Sequence, residues 1–238
     1  MPAEAATGTA PVPAEAPELP DLDEASAEYI LTWAIERYFP QLAVACSMQD
    51  AVVVDLAWRI EPRIEVFFLE TGFHFPETLA TAERMRSRYQ LKLVAVQPVE
   101  NPAVYSKEGY EACCAARKTQ PMERYLSGKR AWVTGLRRAE ATTRGQARAL
   151  EWDGARGLVK VNPIVAWSDE QVQGYIADHD LIVNPLRLQG YDSIGCWPCT
   201  RAGKGRDGRW SGLEKTECGL HLPGVSPEPQ AEAAPTHR

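Results

Sequence analysis

No stretch of this chain approaches the roughly 18 consecutive apolar residues of a bilayer-spanning helix, so a transmembrane segment is excluded. The N-terminal residues lack the basic start and apolar h-region of a secretory signal, which predicts a cytoplasmic protein. There is no internal repeat, which sets aside a repeat array. Bases are missing from residues 1–28, which hold Glu4, Glu15, Glu18, Asp21, Asp23, Glu24 and Glu28. Large apolar residues are scarce in 1–25, so this stretch reads as a disordered acidic arm, and 223–238 reads as a disordered tail. A formal net charge of −6 argues, taken whole, against a polyanionic partner.

What remains is ample for a core. The 238 residues are 45% apolar and 24% charged, enough for one good-sized domain or two small ones. The charge is unevenly spread. Residues 113–218 hold 17 Lys and Arg against 12 acids, a net of +5, so a soluble core with a basic second half carries acidic tails.

Short apolar runs at 42–47, 64–70, 91–97 and 131–135 resemble strands buried on both faces of a parallel sheet. Helical patterns lie between them at 51–60, 77–89 and 117–126. This βαβα order predicts a doubly wound, mainly parallel α/β sheet with ligands beyond the carboxyl ends of its strands. The loops there are 47–50, 70–75 and 135–144. A further apolar run covers 158–164. Ser168-Asp169-Glu170-Gln171 then reads as a capping box opening a helix through about Ala177. From 186 to 221 the chain is rich in Gly, Cys and Arg, a loop-rich segment fit for a metal centre and a ligand.

Six cysteines are present: Cys46, Cys113, Cys114, Cys196, Cys199 and Cys218. In a reducing compartment, close spacings favour metal ligands or nucleophiles over disulfides. Cys196-Trp-Pro-Cys199 places two thiols on one turn, a pattern shared by iron–sulfur sites, zinc sites and redox dithiols. The adjacent Cys113-Cys114 pair shifts the balance. Neighbouring side chains diverge, so both reach one centre most easily if it is large, which favours a tetranuclear iron–sulfur cluster over a single zinc ion. Cys218 stands apart in Glu217-Cys218-Gly219-Leu220-His221. Nearby Lys215, His221 and upstream arginines would favour its thiolate; an exposed, idle thiol is the alternative.

The stretch Tyr191-Asp-Ser-Ile-Gly-Cys196-Trp-Pro-Cys199-Thr-Arg201, followed by Gly208-Arg209-Trp210 and Lys215-Thr-Glu-Cys218-Gly-Leu-His221, resembles the C-terminal signature of assimilatory adenylyl-sulfate (APS) reductases. Cys113-Cys114-Ala-Ala-Arg117-Lys118 resembles the same family's cluster-binding pair. Leu69-Glu70-Thr71-Gly72-Phe73-His74 and Trp132-Val-Thr134-Gly135-Leu-Arg137-Arg138 are similar to it as well. The resemblance implies a reductase domain over 26–222 with the adenine-nucleotide alpha-hydrolase (PP-loop) fold. It implies thioredoxin-dependent reduction of APS to sulfite and AMP in sulfate assimilation and cysteine biosynthesis. It further implies one [4Fe–4S] cluster on Cys113, Cys114, Cys196 and Cys199, with Cys218 as the nucleophile.

A sulfonucleotide needs an adenosine pocket, cations around phosphate and sulfate, and a thiolate aimed at sulfur. Breaking the S–O bond leaves charge on the departing phosphate, which preorganised Arg and Lys groups stabilise. Lys118, Arg144, Arg206 and Arg209, with His221 beside the nucleophile, match the family positions for that work. Ser47 is a phosphate or ribose contact or a helix cap; Gly72, Thr134 and Gly135 are candidates for the adenosine pocket. Cys46 and His74 are read as a buried thiol and a loop histidine. The loop Ser47-Met48-Gln49-Asp50 lacks the glycines of the Ser-Gly-Gly-x-Asp loop of ATP-using relatives, which counts against an ATP-dependent tRNA thiolation enzyme. A reductase of 3′-phosphoadenylyl sulfate (PAPS) is the nearest rival, and a zinc-ribbon-like binding module a more distant one. The core's small positive balance suits a mononucleotide better than a nucleic acid.

Overall fold

A computed structural model describes residues 16–98 and 109–210. Six strands form one sheet: β1 (Leu42–Ala45), β2 (Glu65–Leu69), β3 (Lys92–Val96), β4 (Ala131–Val133), β5 (Leu150–Asp153) and β6 (Leu158–Val161). Their order is β3-β2-β1-β4-β6-β5, parallel except for β5, which runs antiparallel to β6. The expected doubly wound, mainly parallel sheet is therefore present, with an antiparallel edge strand that the sequence pattern did not announce. The register sets Val44 between Val66 and Val133.

Alternate residues of the parallel strands feed two cores. Val44, Val66, Val133 and Val161 face a large core made with the helices α1 (Ala27–Tyr38), α2 (Val52–Ile60), α3 (Pro76–Tyr89) and α6 (Asp169–Asp178). Ala43, Phe67, Trp132 and Leu158 face a smaller one closed by Met122 and Leu126 of α5 (Gln120–Leu126). Burial on both faces explains the near-continuous apolar runs. The anticipated capping box at α6 forms: the Ser168 hydroxyl accepts from Gln171 N at 3.2 Å, and Gln171 Oε1 accepts from Ser168 N at 2.8 Å. Among the described residues, no helix is long and apolar enough to cross a membrane.

Two details differ from the sequence reading. The expected helix at 117–126 is the end of a spiral that begins with α4 (Tyr110–Cys114) and passes through a π-helical turn, Ala115–Thr119, before α5. Gln120 N donates to Ala115 O, the i to i+5 bond that defines this wider turn. Residues 16–25, which composition assigns to a disordered arm, lie against the domain. Leu19, Leu22 and Ala25 pack on the large core, and Asp23 accepts from Ala149 N at 2.8 Å. Sparse apolar residues suffice because the contact is mainly charge pairing with distant arginines. The rest of that arm and the 223–238 tail lie outside the described residues.

Candidate functional site

In the sheet order, β1 sits between β2 and β4, so connections leave it in opposite directions and a crevice opens at their carboxyl ends. A cavity of about 270 Å³ occupies this crevice, ringed by the three loops expected to bind a ligand. Of the expected site residues, Ser47, Thr134, Gly135 and Lys118 line it. So do Arg144, Arg206 and Arg209, which come from two widely separated segments. Gly72 does not line it. That glycine instead has φ +74°, and a methyl there would stand 3.2 Å from Arg117 Nη1, so its role is loop geometry beside the cysteines. Cys218 and His221 lie outside the described residues.

The loop after β1 is built without glycine, yet it bends as one. Met48, wholly buried, takes φ +60°, a conformation unusual for a side chain of this size. Asn184 holds it there, donating from Nδ2 to Met48 O at 3.1 Å, while Asn184 N donates to Gln49 O at 3.0 Å. Asp50 Oδ1 accepts from Val52 N at 3.2 Å at the start of α2. Burial raises the Asp50 carboxyl above its ordinary value, against the opposing pull of the Val52 amide and Arg187. Cys46, on the same wall, is pushed up to about 12 by burial, which fits an inert thiol. His74 Nε2 bonds to Leu69 O at 2.8 Å, a loop-holding contact.

Thr134 is committed to its own protein. Its hydroxyl donates to Asn162 Oδ1 at 2.7 Å and accepts from Leu136 N at 3.1 Å. Thr134 therefore shapes the backbone at the end of β4, where Gly135 meets the cavity, with its hydroxyl proton given to Asn162. The cations are similarly held. Arg144 is paired with Glu140, and Arg137, also on the cavity wall, with Asp169 at 2.7 Å. Arg209 donates from Nη1 to Ser193 Oγ and Ile194 O, each at 3.2 Å, with its guanidinium 4.5 Å from the Trp210 ring centroid. Its buried Nε has no hydrogen-bond acceptor among the described residues. Gly195 makes room for this arginine: a methyl there would lie 2.6 Å from the guanidinium. Sequence reasoning missed Arg137, Glu140, Asp50 and Gly195, whose roles come from contacts between distant segments.

The cysteines gather on one flank. Cys196 lines the cavity and is buried, as is Cys114; Cys113 and Cys199 are partly exposed. Cys113 is raised by burial and by the neighbouring Cys114, Cys196 and Cys199, with Arg117 opposing, so all four share one electrostatic neighbourhood. The loop after β2 joins their two halves. Arg117 Nη1 donates to Thr71 O at 2.7 Å and stacks 4.4 Å from the Phe73 ring centroid, while Trp197 N donates to Phe73 O at 2.8 Å. Among the described residues, no three His, Cys, Asp or Glu side chains close around a point fit for a single metal ion. Four thiols gathered on one flank are the donor set that an iron–sulfur group with separate metal corners takes.

A sequence model of the phosphoadenosine phosphosulfate reductase domain matches residues 40–202. An adenosine 5′-phosphosulfate reductase of Mycobacteroides abscessus is 46% identical over 213 residues, covering 84% of this chain and 90% of that protein. One of Streptomyces coelicolor is 44% identical over 213 residues, with coverage of 84% and 90%. Among solved structures, a phosphoadenylyl-sulfate reductase from Candida auris in a phosphate complex superposes with a TM-score of 0.64 at 25% identity, covering 76% of this chain and 94% of that one. The FMN adenylyltransferase of Candida glabrata shares the fold at 14% identity, with a TM-score of 0.56 and coverage of 75% and 65%.

Proposed function

The chain belongs to the phosphoadenosine phosphosulfate reductase family, and on that premise we infer that it is an adenylyl-sulfate reductase. It reduces APS to sulfite and AMP in assimilatory sulfate reduction. The observation that carries this reading is the meeting of two features: a cation-lined cavity at the strand switch point and a cysteine quartet whose Cys196 forms part of the cavity wall.

In this proposal the adenosine lies against Gly135 and the β1 loop, while Arg144, Arg206, Arg209 and Lys118 surround phosphate and sulfate. Ser47 faces the same space. The spare Arg209 Nε donor supports a ligand at that point. Cys218 acts as nucleophile, with His221 three residues further on in the sequence. Its thiolate attacks the sulfur of APS, the S–O bond breaks, and AMP departs with the bonding pair on its phosphate. The enzyme is left as the S-sulfocysteine. A thioredoxin dithiol then attacks the Cys218 sulfur and releases sulfite as the mixed disulfide forms; its second thiol resolves that disulfide and restores Cys218. The two thiols of thioredoxin supply both electrons.

Cys113, Cys114, Cys196 and Cys199 would hold one [4Fe–4S] group. When bound, it supplies a fixed charge centre beside the cavity and ties the two cysteine segments together. Reduced thiols of this kind persist in the cytoplasm, where we place the enzyme. The family description also names the 3′-phosphorylated nucleotide, so catalytic efficiency on APS and PAPS decides the preference. The assignment of Cys218 is tested with sulfur-labelled APS and no reductant. Wild type should retain label, and Cys218→Ser should retain none; a labelled Cys218→Ser protein would overturn it.

A further inference from the structure

We propose that Asp23, outside the cavity, is a positioning residue for APS: it closes the loop that presents Arg144. This rests on the reading of the cavity as the APS site. Residues 138–148 leave the sheet after β4, carry Glu140 and Arg144 to the cavity wall, and return to β5. One carboxylate spans the mouth of this loop. Asp23 Oδ2 meets Arg138 Nη2 at 2.8 Å at the entry and Arg148 Nε at 2.6 Å at the exit. Its Oδ1 accepts from Ala149 N at 2.8 Å. Arg138 Nε adds a direct tie across the mouth to Ala147 O at 2.7 Å, and Asp21 binds Arg148 at 2.9 Å.

Two guanidinium groups therefore converge on a single carboxylate oxygen. Without its charge they repel each other at the point where the loop's ends must stay together. The same loop must then be ordered by the nucleotide at the moment of binding, which weakens affinity. Among the described residues, none of the hydrogen-bond or ion-pair partners of Asp23 lines the cavity, so its loss falls on binding and spares the bond-breaking step. The coupling is reciprocal: a nucleotide that holds the loop must also hold residues 16–25 in place.

The test uses the full-length holoenzyme and AMP as probe. Asp23→Asn keeps the shape and an acceptor for Ala149 N but removes the charge. It should raise the AMP Kd and the APS KM by about 5- to 20-fold, a coupling of ordinary allosteric size, with kcat within about twofold. Hydrogen exchange across 138–148 should quicken in the ligand-free variant, and AMP should slow exchange across 16–25 in wild type. Glu24→Gln, an exposed neighbour, should match wild type. An AMP Kd within twofold of wild type, or exchange at 16–25 indifferent to AMP, overturns the proposal. Wild type that binds neither AMP nor APS overturns the functional reading and this proposal together, and no variant is needed to see it.

Discussion

The cavity and the cysteine flank meet at Cys196 but are built on opposite principles. Around the cavity, charges arrive already matched: Arg144 with Glu140, Arg137 with Asp169, and the Thr134 hydroxyl with Asn162 and Leu136. On the flank, four thiols gather, and Cys113 is made harder to ionise by burial and by the other three, with Arg117 as the cation that eases it. The first region can hold its shape alone. The second gathers four thiols that repel one another once ionised, a strain that a shared metal group would relieve. Nucleotide recognition should therefore be separable from metal loading.

Cys113→Ala gives the largest expected effect, because Cys113 does not line the cavity. It should lose iron, sulfide and the visible absorption, and reductase activity should fall by at least ~100-fold, as removal of a metal ligand implies. AMP affinity should stay within about fivefold. A collapse of AMP binding in isothermal titration would show that the two regions fold as one. Arg144→Ala is the converse cut. Losing a charge-assisted contact to the ligand's anion should weaken AMP binding by roughly 10- to 100-fold while iron content is unchanged.

Thr134→Val sharpens the claim that the cavity is internally matched. It strands Asn162 Oδ1 and Leu136 N in a buried place, for a loss of about 1–3 kcal/mol in urea unfolding. Direct ligand contact by the hydroxyl would instead show as weaker AMP binding with little change in stability. The smallest effect concerns Asp50. Burial raises its carboxyl, so the ionised form costs stability near neutrality, and that cost fades as pH falls through the raised value. Asp50→Asn keeps an acceptor for Val52 N and removes a negative charge from an anion site. AMP should bind ~2- to 5-fold tighter at pH 7, the gap over wild type closing as the pH falls and Asp50 itself takes a proton.

How much of this was legible beforehand follows the range of the interactions involved. The parallel strands were readable because burial on both faces leaves an unbroken apolar run, as at 66–69. The α6 cap was readable because Ser168 and Gln171 are three residues apart. Strand β5 was not: of Leu150–Asp153 only Leu150 is fully buried, and its pairing with β6 is an edge contact without a periodic signature. The quartet and the cavity cations carried motif spacing, whereas Glu140 and Arg137 look like ordinary surface charge until the fold turns them inward. The docked segment 16–25 was hidden most thoroughly. Asp23 finds Arg148 125 positions further along the chain, and composition records no such distances.

The π-helical turn at Ala115–Thr119 carries a further consequence, for how the site tolerates change in length. It accommodates more backbone per turn than the spiral on either side, between the cysteine pair and α5. Deleting one residue there would let a regular α-helix close while Cys113 and Cys114 keep nearly the same facing relative to Met122 and Leu126, since a π turn is an α turn widened to take one more residue. Substitutions within the turn leave its register alone. A residue lost from the α-helical stretches on either side would instead turn the cysteine pair by about 100°, so a change of length is absorbed at the wide turn and nowhere else along this spiral.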